Sequence, residues 1–223
     1  MREVRTQEVR NVRRSPPVSP TDGDLATFLA DLPISRRAAT WAAAAHDGQT
    51  RQVDDAPFIV HPLEVALALH AAGYRDEVIA VALLHDVVEK ARVPVADVEE
   101  TFGTAIAARV HALSEDETIA DAEGRKAALR DHAAEADDEV VAVFAADKLV
   151  KARELRLGVA GARLTADEVT RARAHYVACL AVLERRIPHH PFTEALRFEL
   201  ATQLVVPALV RLQPARATAS VAS

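Results

Sequence analysis

The sequence predicts an all-α protein, a bundle of about eight to ten helices. Alanine is abundant, aromatic residues make up 4% of the chain, and there are only 7 glycines among its 223 residues. Alanine is the strongest helix former, whereas strands prefer β-branched and aromatic side chains. Apolar residues make up 50% of the chain, which at this length is enough to bury a core in one domain.

Composition divides the chain into one domain and two tails. Residues 1–22 mix charged side chains with serines and prolines, and residues 214–223 are small and polar. Both segments are typical of disordered tails, because they offer few large apolar side chains to a core. We therefore expect the folded domain to span residues 23–213.

Charge and cysteine content exclude several kinds of protein. A net charge of −6 argues against nucleic-acid binding, which depends on a basic surface. The single cysteine, Cys179, excludes an internal disulfide and a thiolate metal cluster. No apolar run approaches the roughly 20 residues that span a bilayer, and the charged N-terminus is unlike a secretory signal. We expect a cytoplasmic protein without nucleic-acid or membrane partners, whereas its oligomeric state is left open.

Capping residues and prolines predict the helices in the first half of the chain. A first helix is expected to open at Asp24 or Thr27, and Ser35 to cap a second one that runs to about residue 46. Pro62 fits the first position of the next helix, which should end near Gly73. The following helices are expected over residues 76–91, 95–102 and 104–113.

The second half contains longer amphipathic segments. Gly158 is expected to end a helix that begins at residue 138. Thr165 and Glu168 have the spacing of a capping box, which predicts a helix start. The helices of this half are expected over residues 121–134, 138–157, 165–187 and 192–212.

Two apolar segments are interrupted by polar residues that suit a metal, and a third apolar segment, residues 58–60, directly precedes His61. His85 and Asp86 lie in a stretch that is otherwise almost fully apolar, and Asp147 interrupts the apolar run of residues 140–150. Buried imidazoles and carboxylates need partners, and a cation could satisfy them together. The alternatives are a satisfied polar pair for His85 and Asp86, a salt bridge to arginine for Asp147, and a structural histidine at His61.

Two imidazoles and two carboxylates suit manganese, iron or magnesium, whereas structural zinc sites usually include cysteine. On a continuous helix Glu89 would lie on the same side as His85 and Asp86, because four and three residues separate it from them.

The order of these motifs resembles HD-domain phosphohydrolases. The matching motifs are His61-Pro62, the sequence HDVVE at residues 85–89 and ADKL at residues 146–149. More narrowly, residues 45–51 (AHDGQTR), 57–66 (PFIVHPLEVA) and 79–89 (IAVALLHDVVE) are similar to RelA/SpoT-type (p)ppGpp hydrolases. The resemblance covers about residues 36–156 and implies an HD-domain helical bundle. It leaves no room for the second, synthetase domain of that family.

The resemblance also implies roles for particular residues. The divalent metal, expected to be Mn²⁺, would be held by His61, His85, Asp86 and Asp147. Glu89 matches the carboxylate beside the attacking water, and Arg51 matches the arginine that packs on the nucleotide base.

The chain departs from the family on the substrate side. Lys90 stands where the family has aspartate, Lys151 where it has asparagine, and Lys148 where it has arginine. Lysine binds phosphate as a point charge, so we expect Arg51, Lys90, Lys148 and Lys151 to form the substrate pocket. Alternatively, Lys90 and Lys151 reach into solvent from helix ends.

Three functions are compatible with these residues. The first is a metal-dependent pyrophosphohydrolase acting on (p)ppGpp, with Glu89 handling the water. The second is the same chemistry on another phosphorylated nucleotide. The third is a metal-bound module that senses nucleotides without turning them over.

Overall fold

A computed structural model describes residues 27–203, in which residues 27 and 28 are helical, ten further α-helices follow and there is no strand. The predicted tails, the helix start at Asp24 and the end of the last predicted helix at residue 212 lie outside the described residues. The helices are α1 (Pro33–Ala45), α2 (Val60–Ala71), α3 (Asp76–Leu84), α4 (Val87–Ala91), α5 (Val95–Phe102), α6 (Thr104–Ala112), α7 (Ala122–Glu135), α8 (Asp138–Ala160), α9 (Ala166–Arg186) and α10 (Pro191–Thr202). The all-α prediction is confirmed.

Two central helices organise the core. α3 is buried throughout residues 78–84, and α8 is buried throughout residues 140–150. A helix that is apolar on nearly all sides has to be surrounded by other elements. α3 packs against α1, α2, α6 and α8, while α8 also packs against α2, α7, α9 and α10. Polar residues on α8, and those that directly follow α3, therefore lie inside the bundle.

The segment predicted as one helix over residues 76–91 is two helices, so that prediction is wrong. α3 ends at Leu84 and α4 begins at Val87, and the break lies at His85 and Asp86. Asp86 has φ −96° and ψ −4°, outside regular helical geometry. Hydrophobic periodicity could not detect this break, because the chain is apolar on both sides of it.

The start predicted for α1 at Ser35 is also wrong. The helix begins at Pro33, because proline is favourable in the first turn, and Ser35 is already its third residue. Ser35 is buried, and its backbone N–H and hydroxyl donate to Asp76 Oδ1 at 2.8 and 2.5 Å. This contact ties the start of α1 to the start of α3.

Gly158 does not end α8, which continues to Ala160. A Cβ atom at Gly158 would lie 2.7 Å from Leu164 Cδ1 and 3.1 Å from Val53 Cγ1. The glycine therefore allows the loop before α9 and the loop before α2 to approach α8 closely.

Other helix starts follow the prediction. The capping box of Thr165 and Glu168 is present, and Asp121 accepts from the Gly124 N–H at 2.7 Å. Pro62, by contrast, is the third residue of α2 rather than its first. Over the range that the structure describes, no helix has the length and apolar character needed to cross a membrane.

Candidate metal centre

The break between α3 and α4 turns two buried polar residues toward the centre of the bundle. His85 is 3% exposed and Asp86 is 2% exposed. The Nδ1 of His85 lies 2.6 Å from the carbonyl oxygen of Ala82. A carbonyl can only accept a hydrogen bond, so Nδ1 carries the proton and Nε2 is the nitrogen available to a metal.

His61 from α2 and Asp147 from α8 complete a cluster with this pair. His61 Nε2 lies 3.1 Å from Asp147 Oδ1 and 3.5 Å from Asp86 Oδ2. His85 Nε2 lies 3.3 Å from Asp86 Oδ2 and 3.6 Å from Asp147 Oδ1. Four residues from three parts of the chain therefore present their side chains to one buried point. We call them the ligand cluster.

The ligand cluster has the chemistry of a divalent cation site. His85 Nε2 and Asp86 Oδ2 are buried, and neither makes a hydrogen bond to any described residue. One ligand atom from each of His61, His85 and Asp86 lies within 4.8 Å of the others. Two imidazole nitrogens with carboxylate oxygens suit manganese, iron or magnesium. Buried groups left without hydrogen bonds are expected where a cation supplies the missing partner.

The charges of the cluster stabilise one another. Burial lowers the pKa of His85, but the nearby carboxylates of Asp86 and Asp147 raise it to about 10. Burial raises the pKa of Asp86, whereas His85 and Lys151 together hold it well below its usual value. A ligating imidazole must be neutral, so a divalent ion that binds His85 has to displace a proton.

A carboxylate that the sequence analysis missed orients His61. Glu154 Oε1 lies 3.0 Å from His61 Nδ1, and Glu154 is on α8, two helical turns after Asp147. Carboxylates commonly hold the second nitrogen of a metal-binding histidine in this way. The spacing along α8 was the available signal, because residues seven apart lie on one face of a helix.

Arg51 lies behind this carboxylate and is 8% exposed. Its Nη1 contacts Glu154 Oε1 at 3.2 Å and Glu64 Oε2 at 3.1 Å, and its Nη2 and Nε bind Asp54. The guanidinium is therefore already paired with three carboxylates. This arrangement positions Glu154 and His61, and it does not support the prediction that Arg51 packs on a nucleotide base.

Lys148 and Lys151 contact different oxygens of Asp147. Lys148 is 4% exposed, its Nζ lies 2.7 Å from Asp147 Oδ2, and it stacks 4.8 Å from the centre of the Phe144 ring. This buried, neutralised ammonium does not support the predicted contact with substrate. Lys151 lies on the other side of Asp147, with Nζ 3.0 Å from Oδ1.

Glu89 and Lys90 lie at the edge of a separate opening. The side chain of Glu89 is 16% exposed and forms an ion pair with Lys90. Both residues line a cavity of about 540 Å³, which we call the Glu89 cleft. The other basic residues of its lining are Arg92, Arg125 and Lys126.

Besides Glu154, His46 is a second residue whose surroundings could not be predicted from the sequence. It is 3% exposed, its Nδ1 lies 2.9 Å from Gln49 Oε1, and its Nε2 has no hydrogen-bond partner among the described residues. Burial lowers the pKa of His46, although the Gln49 contact raises it. The ring of Phe58 lies 4.8 Å from that of His46 and 6.0 Å from that of His61.

A family model described as an HD domain matches residues 38–175. The chain belongs to the HD-domain family. The family resemblance stated from the motifs is thereby confirmed, and family membership implies a divalent metal. All four residues of the ligand cluster lie within the matched range.

Curated relatives share this part of the chain. Guanosine-3′,5′-bis(diphosphate) 3′-pyrophosphohydrolase MESH1 of Xenopus tropicalis is 35% identical over 129 residues, which is 56% of this chain and 72% of the relative. The bifunctional (p)ppGpp synthase/hydrolase SpoT of Escherichia coli K12 is 37% identical over 90 residues, which is 40% of this chain and only 13% of that protein. Together with the HD domain, these relatives indicate a metal-dependent hydrolase, as the sequence predicted.

Solved structures agree on the fold. A metazoan ortholog of SpoT, described as hydrolysing ppGpp and playing a role in starvation responses, superposes with a TM-score of 0.67 at 23% identity, covering 76% of this chain and 95% of that one. The protein lmo0812 of Listeria monocytogenes superposes with a TM-score of 0.58 at 26% identity, covering 65% of this chain and 94% of that one.

Proposed function

We propose that this protein is a metal-dependent pyrophosphohydrolase that removes the 3′-pyrophosphate of (p)ppGpp. The observation that carries the proposal is the convergence of His61, His85, Asp86 and Asp147 on one buried point. The HD-domain match and the name of the MESH1 relative support this reaction and this substrate.

We assign the metal to the four residues of the ligand cluster and expect Mn²⁺ as the ion. When bound there, a divalent cation would supply charge to screen a phosphate and would lower the pKa of a water molecule. Glu154 would keep the His61 ring in position, and Lys148 would hold the second oxygen of Asp147. These two residues position the ligands and do not touch the substrate.

Glu89 is the proposed general base. It follows the Asp86 ligand by three residues and lies on α4, at the wall of the Glu89 cleft. In the reaction, a water oxygen forms a bond to the 3′-phosphorus and the bond from that phosphorus to the ribose oxygen breaks. Glu89 accepts one proton of the water, and the ribose oxygen takes up a proton from solvent. The products are pyrophosphate and GDP or GTP.

Lys90 and Lys151 are the proposed contacts to substrate phosphates. Both are partly exposed, with side-chain exposures of 42% and 24%. These lysines favour an anionic ligand, and they also support a second candidate, the same hydrolysis on another phosphorylated nucleotide. The third candidate, a nucleotide sensor without turnover, shares the metal site. The cytoplasm stays the expected compartment.

The deciding experiment offers ppGpp, GTP and a panel of nucleotides to purified protein with Mn²⁺. We expect pyrophosphate to be released from ppGpp, and the Asp86→Ala variant to lose this release by at least about 10³-fold, because one missing ligand disables both the metal site and the attack.

The other possible results of this experiment lead to different conclusions. Release from a different nucleotide alone would replace the substrate and keep the chemistry. Tight nucleotide binding without release would support the sensor. Turnover that survives Asp86→Ala would overturn the metal site itself.

A further inference from the structure

Lys151 lies against the two carboxylates of the ligand cluster. It is on α8, one turn after Asp147, and its Nζ is 3.0 Å from Asp147 Oδ1 and 3.7 Å from Asp86 Oδ2. These two oxygens are the same atoms that lie closest to the histidine Nε2 atoms. The ammonium thus contacts the negative charge that a divalent cation would use.

Lys148 shows that this contact is not simply the neutralisation of a buried acid. Lys148 already binds the other oxygen of Asp147 at 2.7 Å, and its buried ammonium lies against the Phe144 ring. A metal bound through Oδ1 leaves that pair in place. Lys151 differs, because a metal at Oδ1 would bring a divalent charge beside its ammonium, and two cations this close repel strongly.

Lys151 also has the freedom to move. Its side chain is 24% exposed, and its flexible four-carbon stem can turn the ammonium toward solvent. Lys151 is the more exposed of the two lysines that contact Asp147, with 24% of its side chain exposed against 5% for Lys148, so its ammonium moves toward the solvent side when it leaves the carboxylates. An ammonium displaced to this side can bind a phosphate oxygen.

We propose that Lys151 is an internal cation that competes with the metal for Asp86 and Asp147, and that metal binding releases it to bind a phosphate of the substrate. The inference rests on the proposed function and deepens it. Metal and anion then bind cooperatively, because each favours the state in which the ammonium has left the carboxylates.

The test measures Mn²⁺ affinity without turnover, by electron paramagnetic resonance titration of metal-stripped protein. Lys151→Asn removes the competing charge and is expected to tighten Mn²⁺ binding about 10- to 100-fold, because no ammonium then has to leave the carboxylates before the metal binds. Lys151→Arg retains the charge and should bind Mn²⁺ as weakly as the natural protein. Thermal unfolding establishes that each variant is folded.

Lys90→Asn is the matched control. It removes the same charge close to the site, but Lys90 pairs with Glu89 rather than with Asp86 or Asp147. Its Mn²⁺ affinity should stay within about twofold of the natural protein, since exposed charges interact weakly.

A second measurement, of pyrophosphate affinity, is expected to change in the opposite direction. Inorganic pyrophosphate should bind the Mn²⁺-loaded Lys151→Asn variant about tenfold more weakly than the natural protein, because the released ammonium is missing. Weaker metal binding in Lys151→Asn, or equal metal binding in all variants, overturns the competition.

Failure of the proposed function and failure of the Lys151 proposal give different results. If neither the natural protein nor Lys151→Asn binds Mn²⁺, both proposals fall. If Asp86→Ala abolishes Mn²⁺ binding while Lys151→Asn leaves it unchanged, only the role of Lys151 is rejected.

Discussion

The ligand cluster and the Glu89 cleft lie next to each other, but the charged side chains of the cluster are buried and those of the cleft are more exposed. In the cluster, His61 and Asp86 have side-chain exposures of 1% and 3%, and they contact each other directly. In the cleft, Lys90 is 42% exposed and Arg92 is 69% exposed. Its ion pairs join neighbours at the surface, such as Arg125 with Glu115 at 3.1 Å.

This difference separates the residues proposed to hold the metal from those proposed to contact the substrate. Removing one partner of a buried charged pair leaves the other uncompensated, typically at about 3–5 kcal/mol. An exposed ion pair contributes about 0–1 kcal/mol, so its residues can change freely. The four ligands and Lys90 follow this division, since the ligands match the HD-domain pattern while Lys90 departs from it. Lys148 and Lys151 do not follow it, because they depart from the family although both contact the buried Asp147. If this division holds, residues of either region can be changed without altering the function of the other.

The largest effect is expected from Glu154→Gln. This variant keeps the size of the side chain but removes the charge beside His61 Nδ1, which fixes the ring for the metal. Mn²⁺ affinity should fall about 10- to 100-fold. The measurement is the same titration of metal-stripped protein.

The matched control for Glu154→Gln is Glu64→Gln. Glu64 is 42% exposed and contacts Arg51, as Glu154 does, but it forms no hydrogen bond or ion pair with His61. Its Mn²⁺ affinity should change by less than about threefold. Equal losses in the two variants would mean that total charge, rather than the contact with His61, governs the metal site.

A pH dependence should appear in the cluster. Because the carboxylates raise the pKa of His85 from 6.5 to about 10, its imidazole carries a proton at neutral pH that a metal has to displace. Affinity for Mn²⁺ should therefore rise with pH, about tenfold per pH unit for each displaced proton, and level off near the pKa of His85.

Calorimetry in buffers of different ionisation enthalpy measures this proton release directly. At least about one proton per Mn²⁺ is expected at pH 8. The variant Lys90→Asn, altered only in the cleft, should release the same number. Mn²⁺ affinity that does not change between pH 7 and pH 9 would contradict the charged state of His85.

The sequence predicted the ligand cluster better than its surroundings for a physical reason. Buried polar residues stand out in an apolar helix, because burial without a partner is unfavourable, and His85, Asp86 and Asp147 were identified this way. The break at His85 was missed, since both flanking segments are apolar. The same rule could not find Glu154, which lies in the charged second half of α8.

The side-chain contacts of the cationic residues could not be predicted either. Lys148 and Lys151 are three residues apart on α8, yet Lys148 is buried against Asp147 Oδ2 and Lys151 is partly exposed beside Oδ1. Arg51 is saturated by carboxylates that are 3 to 103 positions away in sequence. Such long-range pairs depend on tertiary packing, which local patterns do not encode.

The smallest effect is expected from Lys90→Asp, which changes the cleft alone. The Lys90 ammonium is ion-paired with Glu89, and this pairing occupies the carboxylate. Removing the ammonium frees Glu89 to hold a water, so kcat for ppGpp should rise about three- to tenfold, a modest part of what a general base contributes. KM should rise as well, because the proposed contact of Lys90 to a substrate phosphate is lost. Mn²⁺ affinity should change by less than about twofold.

Lys126→Asp tests whether this rise is specific to Glu89. Lys126 also lines the cleft, but it pairs with Glu123 at 2.9 Å, so the same change of charge there should give no comparable increase in kcat. If Lys90→Asp instead lowers kcat as well as raising KM, the contact of Lys90 to the substrate outweighs its pairing with Glu89. The departure from the family at this position would then be an adaptation to a more anionic nucleotide, made in the exposed region without disturbing the buried ligands.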